Sequence, residues 1–261
     1  MEFVQDILRF LDASMETPSI YGWFHILWLG ITAAVTYLLC RYGKGKERPV
    51  ILWTTVLVIA LEIYKQINYS FSYEEGIAFD YQWYAFPFQF CSTPMYIGLL
   101  AALTRGKLHD AFCSYLGTFS LFAGLCVMLY PGQVFISTIG INIQTMICHG
   151  AMIVIGIYLL YTGYVKAESK TILKAAAVFA GCVALAAIMN EIAHAAKLEE
   201  TFNMFFISPY WECTLPVYSL VHNVVPFPLN LLIYITGFTI AARIILLVAM
   251  AISRKAVPAK I

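Results

Sequence analysis

The chain has 261 residues, of which 61% are apolar and 12% are charged, whereas soluble domains average about 45–50% and about 25%. Its 16 basic and 15 acidic side chains leave a formal net charge of +1, so no overall field attracts nucleic acid or an acidic partner. This composition excludes a soluble globular enzyme, a disordered chain and a nucleic-acid-binding protein, and it predicts an integral membrane protein.

The first predicted element is a short amphipathic helix within residues 1–14. One helical face carries its apolar side chains, which are Phe3, Val4, Ile7, Leu8 and Leu11. We expect this helix to lie in the outer membrane interface rather than to cross the membrane. It lacks the basic start and the continuous apolar core of a signal peptide.

Seven apolar stretches follow, each close to the ~20 residues that a helix needs to cross the hydrocarbon core. They lie near residues 20–40, 50–67, 86–104, 111–130, 145–164, 172–190 and 228–251. The predicted fold is therefore all-α: a polytopic membrane protein whose single domain, residues 1–261, is a seven-transmembrane-helix bundle.

Basic residues in the connections predict the direction of these spans. Twelve lie after spans 1, 3, 5 and 7 or in the first turn of span 6, and two, Arg9 and Lys197, lie on the opposite side. Because basic loops stay in the cytoplasm, this asymmetry places the N-terminus outside and the C-terminus in the cytoplasm. Seven spans, an odd number, likewise place the two termini on opposite sides of the membrane.

Four predicted spans place polar side chains at one depth, in the outer half of the bilayer. These residues are Glu62, Lys65 and Gln66 in span 2, Gln89 and Cys91 in span 3, Gln144, Cys148 and His149 in span 5, and Asn190, Glu191 and His194 in span 6. Ionisable groups inside a membrane usually face a cavity or each other, so this set is a candidate site. Ordinary helix-end polarity is the simpler interpretation of Lys65, Gln66, Asn190 and Glu191 taken singly, whereas Glu62 and His149 lie deeper. Glu62 and Lys65 could also simply pair with each other.

Cys91 and His149 are the pair in this set that could support covalent chemistry. A thiol becomes a useful nucleophile when an imidazole takes its proton, and spans 3 and 5 place the two side chains at matching depth. His25 in span 1 is a second candidate base or orienting group. His109 and His222, in loops or at a span end, are expected to be solvated.

The other cysteines suggest no further chemistry. Six of the seven lie inside apolar runs and none forms a C-x-x-C pair, so neither a disulfide framework nor a metal site is predicted. Cys148 is adjacent to His149 in sequence, so the two side chains point to different faces of their helix.

Two proline residues flank Cys91. Pro94, predicted inside span 3, frees a carbonyl near Phe90 that a neighbour, a hydroxyl or water must satisfy. Aromatic residues dominate the outer connections 68–90 and 191–227. Either these connections are interfacial aromatic belts, or they are re-entrant segments over a cavity.

The Pro-x-Gln-x-Cys segment at 87–91, with a His early in span 5 and a His in span 1, resembles YwaF-type integral membrane proteins and their animal relatives, the transmembrane protein 164 family. The resemblance covers essentially the whole chain. It implies an acyltransferase that moves fatty acyl chains between phospholipids through an acyl-enzyme thioester, with Cys91 as nucleophile and His149 as general base. Many of these sequences have His where this chain has Gln89, so no acid–base role is carried over to that position.

On this hypothesis membrane lipids are the substrates, no cofactor is required, and protein partners are undetermined. Glu62, Asn190 and His25 are candidate supporting residues, and the oxyanion would find hydrogen-bond donors among Gln89, Ser92, Thr93 and Asn203. Water in place of the second lipid would make the same site a lipid hydrolase.

The alternative is a non-catalytic lipid- or small-solute-binding or transport protein. In that case Glu62, Lys65, His149 and Asn190 would line a pocket. Short loops and the absence of targeting segments favour a bacterial plasma membrane as the location, with the chain as a multi-pass protein of the cell membrane.

Overall fold

The computed structural model describes residues 2–72, 77–198, 202–213, 215–222 and 224–256. These residues are helical or irregular apart from one short antiparallel strand pair, β1 (Phe71–Ser72) and β2 (Ala78–Phe79). The helices are α1 (Glu2–Leu11), α2 (Trp23–Tyr42), α3 (Glu47–Asn68), α4 (Thr93–Leu103), α5 (Gly106–Tyr115), α6 (Leu121–Leu129), α7 (Ile139–Tyr161), α8 (Ser169–Ala195), α9 (Ser219–His222) and α10 (Phe227–Ala256).

Six helices in the described ranges are long and apolar enough to cross a membrane. They are α2, α3, α7, α8, α10 and the continuous helix Gly106–Leu129, in which a five-residue π-helical turn, Leu116–Ser120, joins α5 to α6. Each of them coincides with a predicted span. The all-helical membrane architecture is therefore confirmed, with six helices of spanning length.

The predicted third span, 86–104, differs from the others. It contains only the eleven-residue helix α4, preceded by the 3₁₀ turns Trp83–Ala85 and Phe90–Ser92. Pro94 lies in the first turn of α4 rather than inside a longer helix. A proline is tolerated in the first turn because its missing N–H would have no helical partner there, and its ring would clash with a helix continued from the N-terminal side.

The centre of the bundle is formed by α7 and the Gly106–Leu129 helix. In each of them 67% of the most apolar stretch is buried inside the protein, against 17–28% in the other four long helices. α7 packs against α2, α3 and α6, while α5 packs against α4 and α8. Polar residues of α7 therefore face protein rather than lipid.

The two ends of the bundle differ in character. We call the end that carries residues 11–22, 69–72, 77–92, 131–138, 202–213 and 215–222 the loop-rich end. The opposite end, with residues 41–48, 104–107 and 162–170, is the basic end. α1 is tied to the loop-rich end, where the Tyr64 hydroxyl donates to the Leu11 carbonyl at 2.7 Å and the Asn68 amide donates to Asp12 at 3.1 Å. A helix thus forms where the amphipathic pattern predicted one, and its place in the membrane interface stays a prediction.

Helices α3 and α4 approach each other closely at Gly98. A Cβ atom at this position would overlap the hydroxyl of Thr55, which is itself buried. The absence of a side chain at Gly98 therefore sets how near α4 lies to α3.

We expect Gly98→Ala to lower the free energy of unfolding by about 1–3 kcal/mol, because the added methyl group overpacks a filled interface. Thermal unfolding in detergent micelles measures this change. Gly181→Ala on α8 is the matched control, since no atom lies within 4 Å of its added Cβ. Equal losses of stability in the two variants would contradict the close approach.

Candidate active site

Cys91 lies on the 3₁₀ turn Phe90–Ser92 at the loop-rich end. Gln89, which directly precedes this turn, connects it to a segment that is distant in sequence. The Gln89 side-chain amide donates to the Asn203 carbonyl at 2.9 Å, and its oxygen accepts from the Phe205 N–H at 2.8 Å. Gln89 therefore joins the Cys91 turn to residues 203 and 205, using its amide oxygen and one of its two amide N–H groups.

Asn190 and Asn203 hold the same segment, residues 202–208. The Asn190 side chain donates to the Met204 carbonyl at 3.0 Å and accepts from the Met204 N–H at 2.7 Å, while the Asn203 side-chain oxygen accepts from the Ser208 N–H at 2.9 Å. Met204, Phe205 and Ile207 are fully buried. Residues 202–208 thus form a buried non-helical segment.

Thr93 donates two hydrogen bonds to the Phe90 carbonyl, one of them from its backbone N–H. The Thr93 hydroxyl donates to the Phe90 carbonyl at 2.7 Å and also lies 2.6 Å from the Tyr115 hydroxyl. Because a threonine hydroxyl has one proton, Tyr115 is the donor in the second bond. The prediction of a freed carbonyl near Phe90 is wrong, because Pro94 lies in the first turn of α4 and the Phe90 carbonyl accepts from the Thr93 N–H. The Thr93 hydroxyl proton is not available to an oxyanion in this arrangement.

The Phe90 ring anchors the turn in an aromatic cluster. Its centroid lies 5.1 Å from that of Phe179, 5.2 Å from that of Phe238 and 5.8 Å from that of Phe205. Such ring pairs contribute about 0.5–1.5 kcal/mol each beyond the area they bury. The backbone on both sides of Cys91 is therefore fixed by buried contacts.

Cys91 lines a small cavity together with Cys148. The cavity has a volume of about 20 Å³, and Thr55, Met95 and Ser120 also line it. That volume holds about one water molecule. The sequence singled out Cys91 but not Cys148 or Ser120, and Ser120 ends the π-helical turn, a feature that often accompanies functional sites.

The structure does not join Cys91 directly to His149. The His149 imidazole is 9% exposed, and its Nδ1 lies 2.7 Å from the Thr145 carbonyl. Because a carbonyl only accepts, Nδ1 carries the proton and the neutral ring leaves Nε2 as an acceptor. Among the described residues His149 neither bonds to Cys91 nor lines its cavity.

Glu62 is the centre of a buried polar network beside this cavity. One carboxylate oxygen lies 2.9 Å from the Lys65 ammonium and accepts from the Gln66 amide at 2.8 Å, and the other accepts from the Gln144 amide at 3.4 Å. The Gln144 amide also lies 3.5 Å from the Cys148 sulfur. The predicted pairing of Glu62 with Lys65 is confirmed, and the network continues to the thiol that faces Cys91.

Lys65 is more than a solvated helix end. Its side chain is 19% exposed, and its ammonium lies 2.9 Å from one oxygen of the Glu62 carboxylate, whose other oxygen accepts from the Gln144 amide. From the sequence alone, Lys65 was interpreted as a polar residue at the end of a helix, because hydropathy does not show which way a side chain points.

His25 is fully buried, and both of its ring nitrogens are engaged. Nδ1 lies 2.9 Å from the Tyr21 N–H, which donates to it, so Nε2 carries the proton and donates to the Met128 carbonyl at 2.8 Å. This histidine joins the start of α2 to the end of α6. In this arrangement it has no nitrogen left to act as a base.

The expectation that His222 is solvated is wrong, whereas His109 keeps part of its surface exposed. His109 is partly buried and lies 2.7 Å from the Ala101 carbonyl and 2.8 Å from the Tyr164 hydroxyl at the basic end. His222 is 6% exposed. Both side chains turn into the protein because neighbouring polar or aromatic groups accommodate the imidazole.

We expect Asn190→Leu to lower the free energy of unfolding by about 1–3 kcal/mol for each Met204 backbone group left without a partner. Hydrogen exchange at residues 202–208 should accelerate at the same time, because Asn190 bonds this segment on both sides of Met204. Leu185→Ala, at an exposed position of α8, is the control. Unchanged exchange in the Asn190 variant would show that the segment is held without it.

A family model described as the TMEM164 family matches residues 20–253. No match was found among curated proteins or among solved structures. The matched range begins before α2, ends within α10 and contains the Cys91 turn, the Glu62 network and His149. The chain therefore belongs to the TMEM164 family, and its apolar helices make it a multi-pass membrane protein.

Proposed function

We propose that this protein is a membrane-embedded acyltransferase that moves fatty acyl chains between phospholipids or lysolipids, with Cys91 as its nucleophile. The observation that carries the proposal is the position of Cys91. Its thiol lines a cavity inside the bundle, beside the partly buried Glu62–Lys65 pair, in a chain of the TMEM164 family.

The proposal includes an orientation of the chain. It takes α4 with its preceding turns as a seventh crossing, with the N-terminus outside, the C-terminus in the cytoplasm and a bacterial plasma membrane as the location. The concentration of Lys and Arg at the basic end supports this orientation. Cys91 then lies in the outer half of the bilayer, where the acyl esters of phospholipids lie just below the headgroups.

The first step forms an acyl-enzyme. The Cys91 sulfur attacks the carbonyl carbon of a phospholipid ester while the thiol proton passes to Nε2 of His149. The ester C–O bond then breaks, and the lysophospholipid leaves with the proton returned by His149. Because Cys91 and His149 are not hydrogen-bonded, this transfer needs a bridging water or a rotated side chain, and the cavity beside Cys91 has room for about one water.

The second step transfers the acyl group. The hydroxyl of a lysolipid loses its proton to His149 and attacks the thioester carbonyl. The C–S bond breaks, the Cys91 thiolate is released and takes back the proton, and the acyl chain ends on the second lipid. Water in place of the lysolipid would release a free fatty acid, which is the outcome expected of a hydrolase.

Lys65 supplies the charge that both steps require. The thiolate and the tetrahedral oxyanion are negative, and a fixed positive charge stabilises them strongly in a low-dielectric site. Glu62 balances the ammonium in the resting state, and Gln66 and Gln144 hold the carboxylate.

Intact-protein mass after incubation with defined phospholipids tests the mechanism. We expect a hydroxylamine-labile adduct with the mass of one acyl chain on the wild type and on Cys148→Ser, and none on Cys91→Ser. His149→Ala should slow its formation by about 10²–10⁴-fold, the usual contribution of general acid–base catalysis. An adduct that persists in Cys91→Ser, or its absence from the wild type with every headgroup tried, would overturn the proposal.

We expect Lys65→Met to slow formation of the acyl-enzyme by about 10²-fold, the loss typical of removing one group that stabilises an oxyanion. Lys65→Arg, which keeps the charge, should retain most of the rate. Stopped-time mass measurements give both rates, and thermal unfolding shows whether each variant is folded. Equal rates in a folded Met variant and in the Arg variant would remove Lys65 from the mechanism.

A further inference from the structure

Two grooves of nearly equal volume open on the lateral surface of the bundle. The first, about 530 Å³, lies between α3 and α4 towards the loop-rich end, and its lining includes Ile59, Ile63, Met95, Tyr96 and Leu99. The second, about 510 Å³, lies among α2, α6 and α7, and its lining includes Leu29, Ala33, Tyr37, Leu125 and Ile157. We call them the α3–α4 groove and the α2–α7 groove.

Only one of these grooves adjoins the Cys91 cavity. Met95, which is 5% exposed, lines both the α3–α4 groove and that cavity. No lining residue of the α2–α7 groove lines the cavity within the described part of the chain. Methionine has an unbranched side chain with three rotatable bonds, so a change of its rotamer opens a passage between groove and cavity.

The chemistry of the α3–α4 groove fits a hydrocarbon chain rather than a polar solute. Its wall is largely apolar, and Ile63 on it is 57% exposed to the surroundings. Glu62 and Gln66 also reach the groove, but Lys65, Gln66 and Gln144 partner the Glu62 carboxylate, and Tyr81 and Ala85 partner the Gln66 amide. A polar solute would have to displace these bonds to gain its own.

We infer that the α3–α4 groove binds the acyl chain of the donor glycerophospholipid and that its ester reaches Cys91 past Met95, which separates groove and cavity. Binding of the acyl chain is inferred from the groove itself, whereas delivery of the ester to Cys91 rests on the proposed acyl transfer. It assigns the lipid entrance to one of two grooves of similar size.

Photocrosslinking tests the binding half without any covalent chemistry. The full-length Cys91→Ser variant is reconstituted in phosphatidylcholine vesicles that contain a phosphatidylcholine with a diazirine midway along one acyl chain. We expect adducts on Ile63 and Leu99 several-fold above those on Leu29 and Ile157. Ile63→Trp should remove labelling from the α3–α4 groove alone, and Ala33→Trp from the α2–α7 groove alone. Equal labelling of the two grooves would overturn the inference.

Acyl-enzyme formation tests the passage in the wild-type background. Ile63→Trp should lower its rate by 10-fold or more, and Met95→Trp should do the same, whereas Ala33→Trp in the other groove should keep the rate of the parent protein. Leu99→Trp replaces Ile63→Trp if that variant does not fold. Full activity in folded Ile63→Trp and Leu99→Trp variants would refute the assignment of the lipid entrance to the α3–α4 groove.

The two measurements separate this inference from the proposed function. Selective labelling of the α3–α4 groove without any thioester on the wild type would support a lipid-binding groove and refute the acyl transfer, together with delivery of the ester to Cys91. A Cys91 thioester with equal labelling of the grooves would support the chemistry and refute this entrance.

Discussion

The geometry around Cys91 depends on one constraint: non-helical backbone inside a membrane protein must find its hydrogen bonds within the protein. Two such segments meet at the loop-rich end, residues 86–92 and residues 202–208. Side-chain amides supply the missing bonds, with Gln89 joining the two segments and Asn190 binding both sides of Met204. Phe205 and Phe206 have φ values of 60° and 57°, a strained conformation that persists only where its surroundings determine it.

The Glu62–Lys65 pair is difficult to explain as a stabilising feature alone. Replacing a buried ion pair with well-packed apolar residues is often neutral or stabilising, whereas removing one partner costs about 3–5 kcal/mol. A carboxylate held by Lys65, Gln66 and Gln144 does, however, fix the position of a cation. The same network reaches the Cys148 thiol through the Gln144 amide, so we interpret the pair as part of the proposed site.

Much of the fold could be predicted from the lengths of apolar runs, because a membrane demands ~20 apolar residues for each crossing. The length of α4 could not, since a run of apolar residues does not reveal that Gln89 bonds the backbone of Asn203 and Phe205 or that α4 begins only at Thr93. The proximity of Glu62 to Gln144 followed from their matched positions along α3 and α7, but the rotation of α7 was not predictable. Cys148 and His149 are neighbours in sequence, and only packing decides that Cys148 lines the cavity. The role of His25 could not be predicted for the same reason, because its ring bonds both Tyr21, four residues before it, and Met128, which is distant in sequence.

The short α4 also has a consequence for the bilayer around the protein. Eleven residues of helix rise roughly 16 Å, about half of a hydrocarbon core ~30 Å thick, so on this side the regular helical wall is much lower than on the side formed by α8 and α10. A bilayer that matches both walls must be thinner beside α4, at a cost of fractions of a kcal/mol per Å of mismatch. Lipids next to the α3–α4 groove are then drawn towards the midplane, on the side where the proposed entrance lies.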